Sequence, residues 1–600
     1  MAKEFTNQEV AKLLHSMAAA YEIKGGDRFK IMAYDRAATS VEHASSEVKD
    51  LWDDGKLGEL AGIGAAIASH LDELFRTGKV KHFQEVMSGL PPAMFELLSI
   101  PGVGAKTAYK LSKELGLKNP KTAISELGEK AKSGEIRVIE GFGEESEKDI
   151  LRGIEEFRRK TTRILLPYAA QVADDILFWL KKSPDVIRTD PLGSLRRMVS
   201  TVGDVDIAAA TDKPKEVISH FVAYPKKKRV LEAGTATASL VLKSGYQVDL
   251  MVQPVSSYGA LLQHFTGSKQ HNIALREYAL KKGLSLSEYG IKKKVGSGKW
   301  EVGSYATEEE FYKALGMDWI PPEIREDTGE IEASLRSAQG KPGGLPKLVE
   351  LRDIKGDLHI HSDFPIETSH DEGISSMEEI MDKGLELGYE YVGFCEHNPS
   401  TSKHSLEQII SILKRKKERI DKLNYSHEKR GNKLLIQALN GLEVDIKPNG
   451  TLGIPEKGLD LLDFVMVSIH SSFRMGRQEM TKRVLAALRH PKVKILGHPT
   501  GRKLNEREGY ELDWEEIFDF CKKRNIWLEI NAWPDRLDLP DTLVREAARA
   551  AVKMVICTDA HAVDQMELMR YGVAVARRGW AEKGDIINTL GYSEFKKLLE

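Results

Sequence analysis

From about residue 351 onward, short apolar segments alternate with helical stretches, and nearly every segment ends in histidine, aspartate or glutamate: YVGFCEH, LLIQALNGLEVDI, FVMVSIH, VKILGHP, IWLEINA and MVICTDAH. Apolar runs of strand length between helices predict a parallel α/β sheet or barrel, because such strands must be covered on both faces. In a parallel barrel all the strand ends open at one face, so side chains far apart in sequence converge there. DLHIHSD adds His359 and His361, two apart on a strand and therefore aimed the same way. With His397, Glu443, His470, His498, Asp559 and His561 this face gathers imidazoles and carboxylates without a thiolate. That donor set suits Zn2+, Mn2+ or Fe2+.

The chain has 600 residues, enough for about four domains of the usual size. With 41% hydrophobic and 30% charged residues it is an ordinary folded chain, which excludes disorder, collagen and coiled coil. Its 88 basic and 90 acidic residues leave a net charge of −2, so affinity for nucleic acid must come from local basic patches. Two basic runs, Pro225 to Arg229 and Lys414 to Arg419, read as solvated faces. Three cysteines, Cys395, Cys521 and Cys557, cannot form a disulfide framework and imply a reducing compartment. Cys395 and Cys557 read as buried packing residues. The start of the chain has no apolar signal core and no window is long and apolar enough to span a membrane, so a cytoplasmic protein is expected.

Residues 7 to about 161 are patterned for helices throughout. A G-x-G turn opening a helix recurs at a spacing near forty residues: Gly62 and Gly64, Gly102 and Gly104, Gly141 and Gly143. Such a turn points backbone N–H groups outward with no Cβ in the way, which suits a phosphate oxygen or a bridging cation. These turns resemble helix-hairpin-helix elements, which hold duplex backbones without reading sequence. The resemblance implies DNA contacts at Gly62, Gly64, Gly102, Gly104 and Lys106.

Between helices and barrel lie GDVDIAAA and YQVDLMV, which predict an antiparallel sheet with one wet face. Asp204 and Asp206 are two apart, so both carboxylates leave one face while Val205 and Ile207 enter the core; Asp249 alternates likewise. Three convergent carboxylates repel unless cations lie between them. The pattern points to two Mg2+ or Mn2+ ions about 4 Å apart, an arrangement for phosphoryl transfer. Upstream, Gly193, Ser194 and Arg197 offer backbone, hydroxyl and guanidinium donors for a triphosphate.

These residues, with HFTGSKQHNIALREYALKKGLSLSEYG from His264 to Gly290, resemble a family X DNA polymerase of the polymerase beta kind across residues 1 to about 325. The resemblance implies helical domains over 1–90 and 91–160, an α+β nucleotidyltransferase palm over 161–263 and a thumb over 264–326. It makes Asp204, Asp206 and Asp249 catalytic. It also implies a nucleotide pocket of Gly193, Ser194, Arg197, Gly203, His264, Phe265, Gly267, Ser268 and Asn272, with Arg276 along the DNA minor groove. His264 stands where relatives carry tyrosine beside the sugar, which leaves sugar selectivity open. His70 stands where the family's lyase nucleophile is lysine, and Ala66 replaces a nearby basic residue. Imidazole cannot make that Schiff base, so the usual lyase mechanism is not expected.

The glycine- and proline-rich stretch 327–350 reads as an exposed linker and the main domain boundary. Beyond it, residues 351–600 resemble a PHP domain, which implies a distorted (β/α)7 barrel with up to three Zn2+, Mn2+ or Fe2+ ions. By motif position the ligands are His359, His361, His397, Glu443, His470, His498, Asp559 and His561. The ninth falls in FPIETSHDEG, where Asp371 is chosen and His370 and Glu372 are alternatives. Arg502, Arg536 and Arg570 are candidate contacts to substrate phosphate. The whole order is that of bacterial and archaeal family X polymerases. It implies a monomer that uses dNTPs and gapped or primer-template DNA, fills short repair gaps, and has a 3′-5′ exonuclease that also processes 3′ ends or incises abasic sites. A barrel that hydrolyses a small phosphate ester or pyrophosphate is the alternative.

Overall fold

The computed structural model describes residues 1–600 apart from 1–4, 6, 43–47, 54–56, 58–62, 101, 161–162, 244, 296–298, 430–435, 474, 506 and 508. The chain divides into two compact units, Met1–Thr162 and Arg163–Glu600.

The first unit is helical. Helices Asn7–Ile23, Arg28–Glu42 and Ala65–Thr77 enclose Leu14, Met17, Leu71 and Phe83, while Pro92–Leu97, Ala105–Glu114, Ala123–Lys132 and Glu144–Lys160 enclose Leu97, Leu111, Leu127 and Ile154. Gly64 and Gly104 cap their helices in the same extended conformation, with φ −81° in both.

The second unit begins with a five-stranded sheet in the order Arg188–Pro191, Val205–Ala210, Gln247–Gln253, Thr237–Leu242, Lys227–Ala233. The expected antiparallel sheet is corrected here: the central pair, Val205–Ala210 and Gln247–Gln253, runs parallel. A helix, Pro214–Val222, and two strands intervene between them, which is length enough for the crossover that parallel pairing needs. Val205, Ile207 and Val248 pack under helices Leu166–Leu180 and Pro214–Val222. The opposite face receives Tyr258, Leu261 and Leu262 of helix Tyr258–Thr266. The palm–thumb division expected at residue 263 falls inside this helix, whose Ala260 packs instead with Leu275, Phe311 and Tyr312.

Two parallel sheets build the barrel: Gly356–Ile360, Tyr391–Phe394 and Gln437–Asn440, then Glu443–Asp445, Val465–Ser468, Val493–Leu496, Trp527–Asn531 and Met554–Cys557. Gln437–Asn440 continues almost directly into Glu443–Asp445, and bridges Ile360 to Ala560 and His397 to Glu443 close the ring. Leu358, Tyr391, Phe464, Trp527 and Val555 join one buried cluster with Phe595 of the last helix, Tyr592–Leu599; Phe595 stacks on Tyr391 at 4.5 Å.

The stretch 327–350 is not an open tether. Helix Glu330–Ala338 buries Glu330, Ile331 and Ala333, and Glu330 meets the buried His271 at 2.6 Å. Arg577 and Arg578 of the barrel pair with Glu323 and Glu326. Buried and partly buried polar pairs of this kind tie palm, thumb and barrel into one unit, so the division lies near residue 162. Lys416, expected on a solvated face, is fully buried and donates to the carbonyls of Phe394 and Gly441, with Glu396 at 2.5 Å.

Candidate metal centres

The palm cluster follows from strand register. Asp206 lies directly beside Asp249 in the parallel pair, and with Asp204 their carboxylate oxygens come within 4.8 Å of one another. Burial, then the charges of Asp204 and Asp249, push Asp206 up to about 7, against a smaller opposing pull from Arg197. An acid that resists ionisation beside two others has the electrostatics of a cation site. Gln247 donates to both oxygens of Asp249 at 3.0 Å and so aims it.

Gly193 opens the short helix Gly193–Arg196 with φ +57°, and a Cβ there would stand 2.4 Å from Asp206 Oδ2. Gly193→Ala is expected to cost about 1 kcal/mol of stability, because L residues resist this conformation. Displacing the carboxylate should also slow extension about 100-fold. A thermal melt and a primer-extension rate check both; unchanged extension would mean that Asp206 tolerates displacement.

Gly203 sits in the turn before the aspartate strand, next to the exposed Asp204, and Ser194 is half-buried in the short helix. Arg197 donates to the Thr266 carbonyl at 2.5 Å and to Glu326 at 3.0 Å, beside Gly267, whose φ is +69°. Ser268 caps helix Lys269–Lys281 by accepting from the His271 N–H. Asn272 donates to the His264 carbonyl at 2.7 Å, Arg276 reaches His264 Nδ1 at 3.4 Å, and Phe265 lies edge-on to the His264 ring. Burial, then Arg276, lowers the His264 pKa, so this ring is a neutral acceptor.

In the helical unit, Gly62 lies outside the described residues. Among the described residues, and apart from chain neighbours, nothing comes within 4 Å of a Cβ built at Gly64, Gly102 or Gly104, and the exposed Lys106 stands 4.0 Å from Glu22. The third turn differs, since its helix begins with Glu144, Glu145 and Glu147, a first turn that repels phosphate. His70 stacks on His82 at 4.7 Å and shares a 3.0 Å hydrogen bond with Tyr34. With a ring in this place, borohydride should trap no covalent adduct with a 5′-deoxyribose phosphate. A strong trapped adduct would overturn that expectation.

The barrel cluster is denser. Glu443 is its hub: His498 Nε2 lies 2.9 Å away, His397 Nδ1 2.8 Å, His470 Nε2 3.3 Å and His359 Nε2 3.4 Å. Asp559 meets His361 at 3.1 Å and His359 at 3.4 Å. Asp371 lies between His397 at 3.3 Å and His561 at 3.4 Å, although its side chain is 77% exposed. Of the three loop candidates His370 joins His397 and His470 in a possible ligand group, whereas Asp371 and the exposed Glu372 lie outside every such group among the described residues.

Several buried atoms here, His359 Nε2, His361 Nδ1, His498 Nδ1, His561 Nε2 and Glu443 Oε2, make no well-aligned hydrogen bond among the described residues, although the ion-pair contacts to Glu443 are close. Uncompensated buried polar atoms are costly, and this donor set fits a cation. Burial holds His361 and His498 down to about 3, the neutral form that ligates. Burial opposes the ionisation of Glu443 and Asp559, but the surrounding imidazoles hold both well below the usual carboxylate range. His498 and Asp559 have φ +26° and +56°, strained values for non-glycine residues that set their side chains inward.

Supporting residues escaped the sequence reading. Glu529 meets His359 Nδ1 at 2.7 Å and accepts from the His498 N–H, Asn531 donates to Asp559 at 3.0 Å, and Asp445 meets His470 at 2.7 Å and His370 at 3.1 Å. Such partners orient ligating rings. The signal was there in an acid and an amide within the apolar strand IWLEINA, and in Asp445 two residues after Glu443. Of the three arginines, Arg536 reaches the centre, 3.6 Å from Asp559. Arg502 is spent on the carbonyls of Arg536 and Leu537, and Arg570 lies against Tyr571. Cys395 and Cys557 are buried and free, as expected of packing residues.

Comparison with known proteins matches three domain families: helix-hairpin-helix over residues 5–80, DNA polymerase beta thumb over 261–326, and PHP over 357–532. The chain is 33% identical over 595 residues, 99% of each chain, to the DNA polymerase/3′-5′ exonuclease PolX of Bacillus subtilis. It is 23% identical to DNA polymerase lambda of Rattus norvegicus over 53% of this chain and 56% of that one. A probable phosphatase of Clostridium acetobutylicum is 25% identical over 34% of this chain and 78% of its own length.

Proposed function

The chain belongs to the PolX family, family X DNA polymerases with a 3′-5′ exonuclease, and from that premise we propose how its two chemistries are divided. Nucleotidyl transfer belongs to Asp204, Asp206 and Asp249, and removal of 3′-terminal nucleotides to the histidine and carboxylate cluster of the barrel. The observation that carries this division is that the two donor clusters are built on different sheets, each with its own supporting residues.

Divalent cations are required for both reactions. We assign Mg2+ or Mn2+ to the palm and up to three Zn2+, Mn2+ or Fe2+ to the barrel; bound there, they neutralise phosphate charge and activate the attacking oxygen. The protein's own residues do the rest. Gln247 aims Asp249, Gly193 leaves room for Asp206, and Arg197 with the Gly193–Ser194 turn receives the triphosphate. His264, Phe265, Gly267 and Asn272 border the nascent pair, and Arg276 lies along its minor groove. In the barrel Glu529 and Asn531 hold His359 and Asp559 in orientation, and Arg536 faces the substrate phosphate.

DNA and dNTPs are the substrates. The helix-hairpin-helix turns at Gly64, Gly102 and Gly104 with Lys106 hold duplex backbone, which suits short gaps in repair. No described helix is long and apolar enough to cross a membrane. We place a monomer in the cytoplasm, in line with three free cysteines. The test is a 5′-labelled primer on a gapped template with Mn2+ or Mg2+: extension with dNTPs and shortening without them support the reading. Extension without any shortening would remove the exonuclease from the barrel and turn attention to small phosphate esters.

A further inference from the structure

A helix of the barrel ends beside the polymerase cluster. In Met569–Arg578, Arg578 Nη1 donates to the backbone carbonyl of Arg197 at 2.8 Å and to Glu326 Oε1 at 3.0 Å, while Nη2 lies 2.7 Å from Asp541. The same oxygen of Glu326 accepts from Arg197 Nε at 3.0 Å. One carboxylate oxygen is thus shared by an arginine of the palm and an arginine of the barrel. The arginine side chains are only 14% and 9% exposed and that of Glu326 is 27% exposed, so solvent screens the two arginines weakly and the carboxylate in part. Arg197 also lies against Thr266 at the Gly267 turn and acts on the charge of Asp206, which sets it between the metal cluster and the nucleotide pocket.

We propose that Arg578 is a positioning residue of the polymerase, holding Glu326 so that Arg197 can turn from that carboxylate to the triphosphate of the incoming nucleotide. The proposal rests on the reading of Arg197 as a triphosphate contact. A guanidinium that turns away from a carboxylate that is only 27% exposed leaves its charge partly uncompensated, which is unfavourable. With Arg578 on the same oxygen, Glu326 keeps a partner throughout. Without Arg578 the carboxylate has Arg197 alone, and nucleotide binding must break that pair. Asp541 binds the far side of Arg578 and fixes its fork, a task that the point charge of lysine does not perform.

The experiment compares full-length wild type with Arg578→Ala, Glu326→Gln and the double variant, reading extension and primer shortening on each preparation. Arg578→Ala should raise the dNTP KM about tenfold, with kcat within about twofold and shortening unchanged. Glu326→Gln should not raise KM, since an amide holds Arg197 weakly. In the double variant KM should return to within about threefold of wild type, because no charge remains to be stranded. An unchanged KM in Arg578→Ala overturns the proposal, and so does a tenfold rise that persists in the double variant. Parallel loss of extension and shortening marks a structural role only and also overturns it. Arg197→Ala separates the underlying reading: if its KM is unmoved, Arg197 is not a triphosphate contact and the proposal falls with it.

Discussion

Replacing Asp206 by alanine is expected to stop primer extension, lowering its rate by about three orders of magnitude or more, and to leave shortening of the same primer unchanged. Asp206 is the member of the palm cluster that faces Asp249 across the parallel pair and feels the charges of both other aspartates. On the proposed division, the two remaining carboxylates should not hold cations in register with primer and triphosphate. The raised pKa adds a second signature. A carboxyl that keeps its proton up to about 7 makes a divalent cation compete with that proton, so the Mg2+ needed for half-maximal extension should rise as pH falls below about 7. Extension by Asp206→Ala at a near wild-type rate would remove this strand from the chemistry.

The second large expected effect is the converse: His359→Ala should stop shortening, by about three orders of magnitude, while extension should persist. His359 is fully buried, its Nε2 stands 3.4 Å from both Glu443 and Asp559, and its Nδ1 is turned by Glu529. Removing the ring takes a nitrogen donor from the cluster and leaves three buried carboxylates less compensated. Metal content of the purified variant, read by elemental analysis, should fall with activity. Retained extension is the control for folding, because palm and barrel share one compact unit. If His359→Ala shortens primers like wild type, the barrel centre is not the nuclease.

What could be read from the sequence was local. Side chains two apart on a strand share a face, so Asp204 with Asp206, and His359 with His361, were paired before any fold was known. Strand ends of a parallel barrel share a rim, which is why His397, Glu443, His470, His498, Asp559 and His561 could be grouped across 165 positions of chain. The loop candidates did not yield to this logic. Asp371 and His370 are neighbours in sequence, yet one sits against His397 and His561 and the other against His397 and His470. No periodicity ranks two adjacent loop residues.

Composition also misled where burial overrides it. The stretch 327–350 has the glycine, proline and charge of a tether, but Glu330 finds His271 and the backbone N–H groups of Asp327 and Thr328. Lys416 sits in a run of basic residues, but carbonyls and a carboxylate await it inside. A buried charge is decided by the partner it meets, and that partner is distant in the chain.

The sequence by itself thus determined the succession of helical turns, palm strands and barrel, and the chemical type of each centre, because both follow from residue identity and short-range periodicity. Tertiary structure alone decided that the two aspartate strands run parallel, that Glu529 and Asp445 meet the His359 and His470 rings while Asn531 meets the Asp559 carboxylate, and that Arg578 of the barrel shares Glu326 with Arg197 of the palm. The reason is physical: strand pairing and buried ion pairs are contacts between residues that lie from 25 to several hundred positions apart, and they exist only once the chain has closed around them.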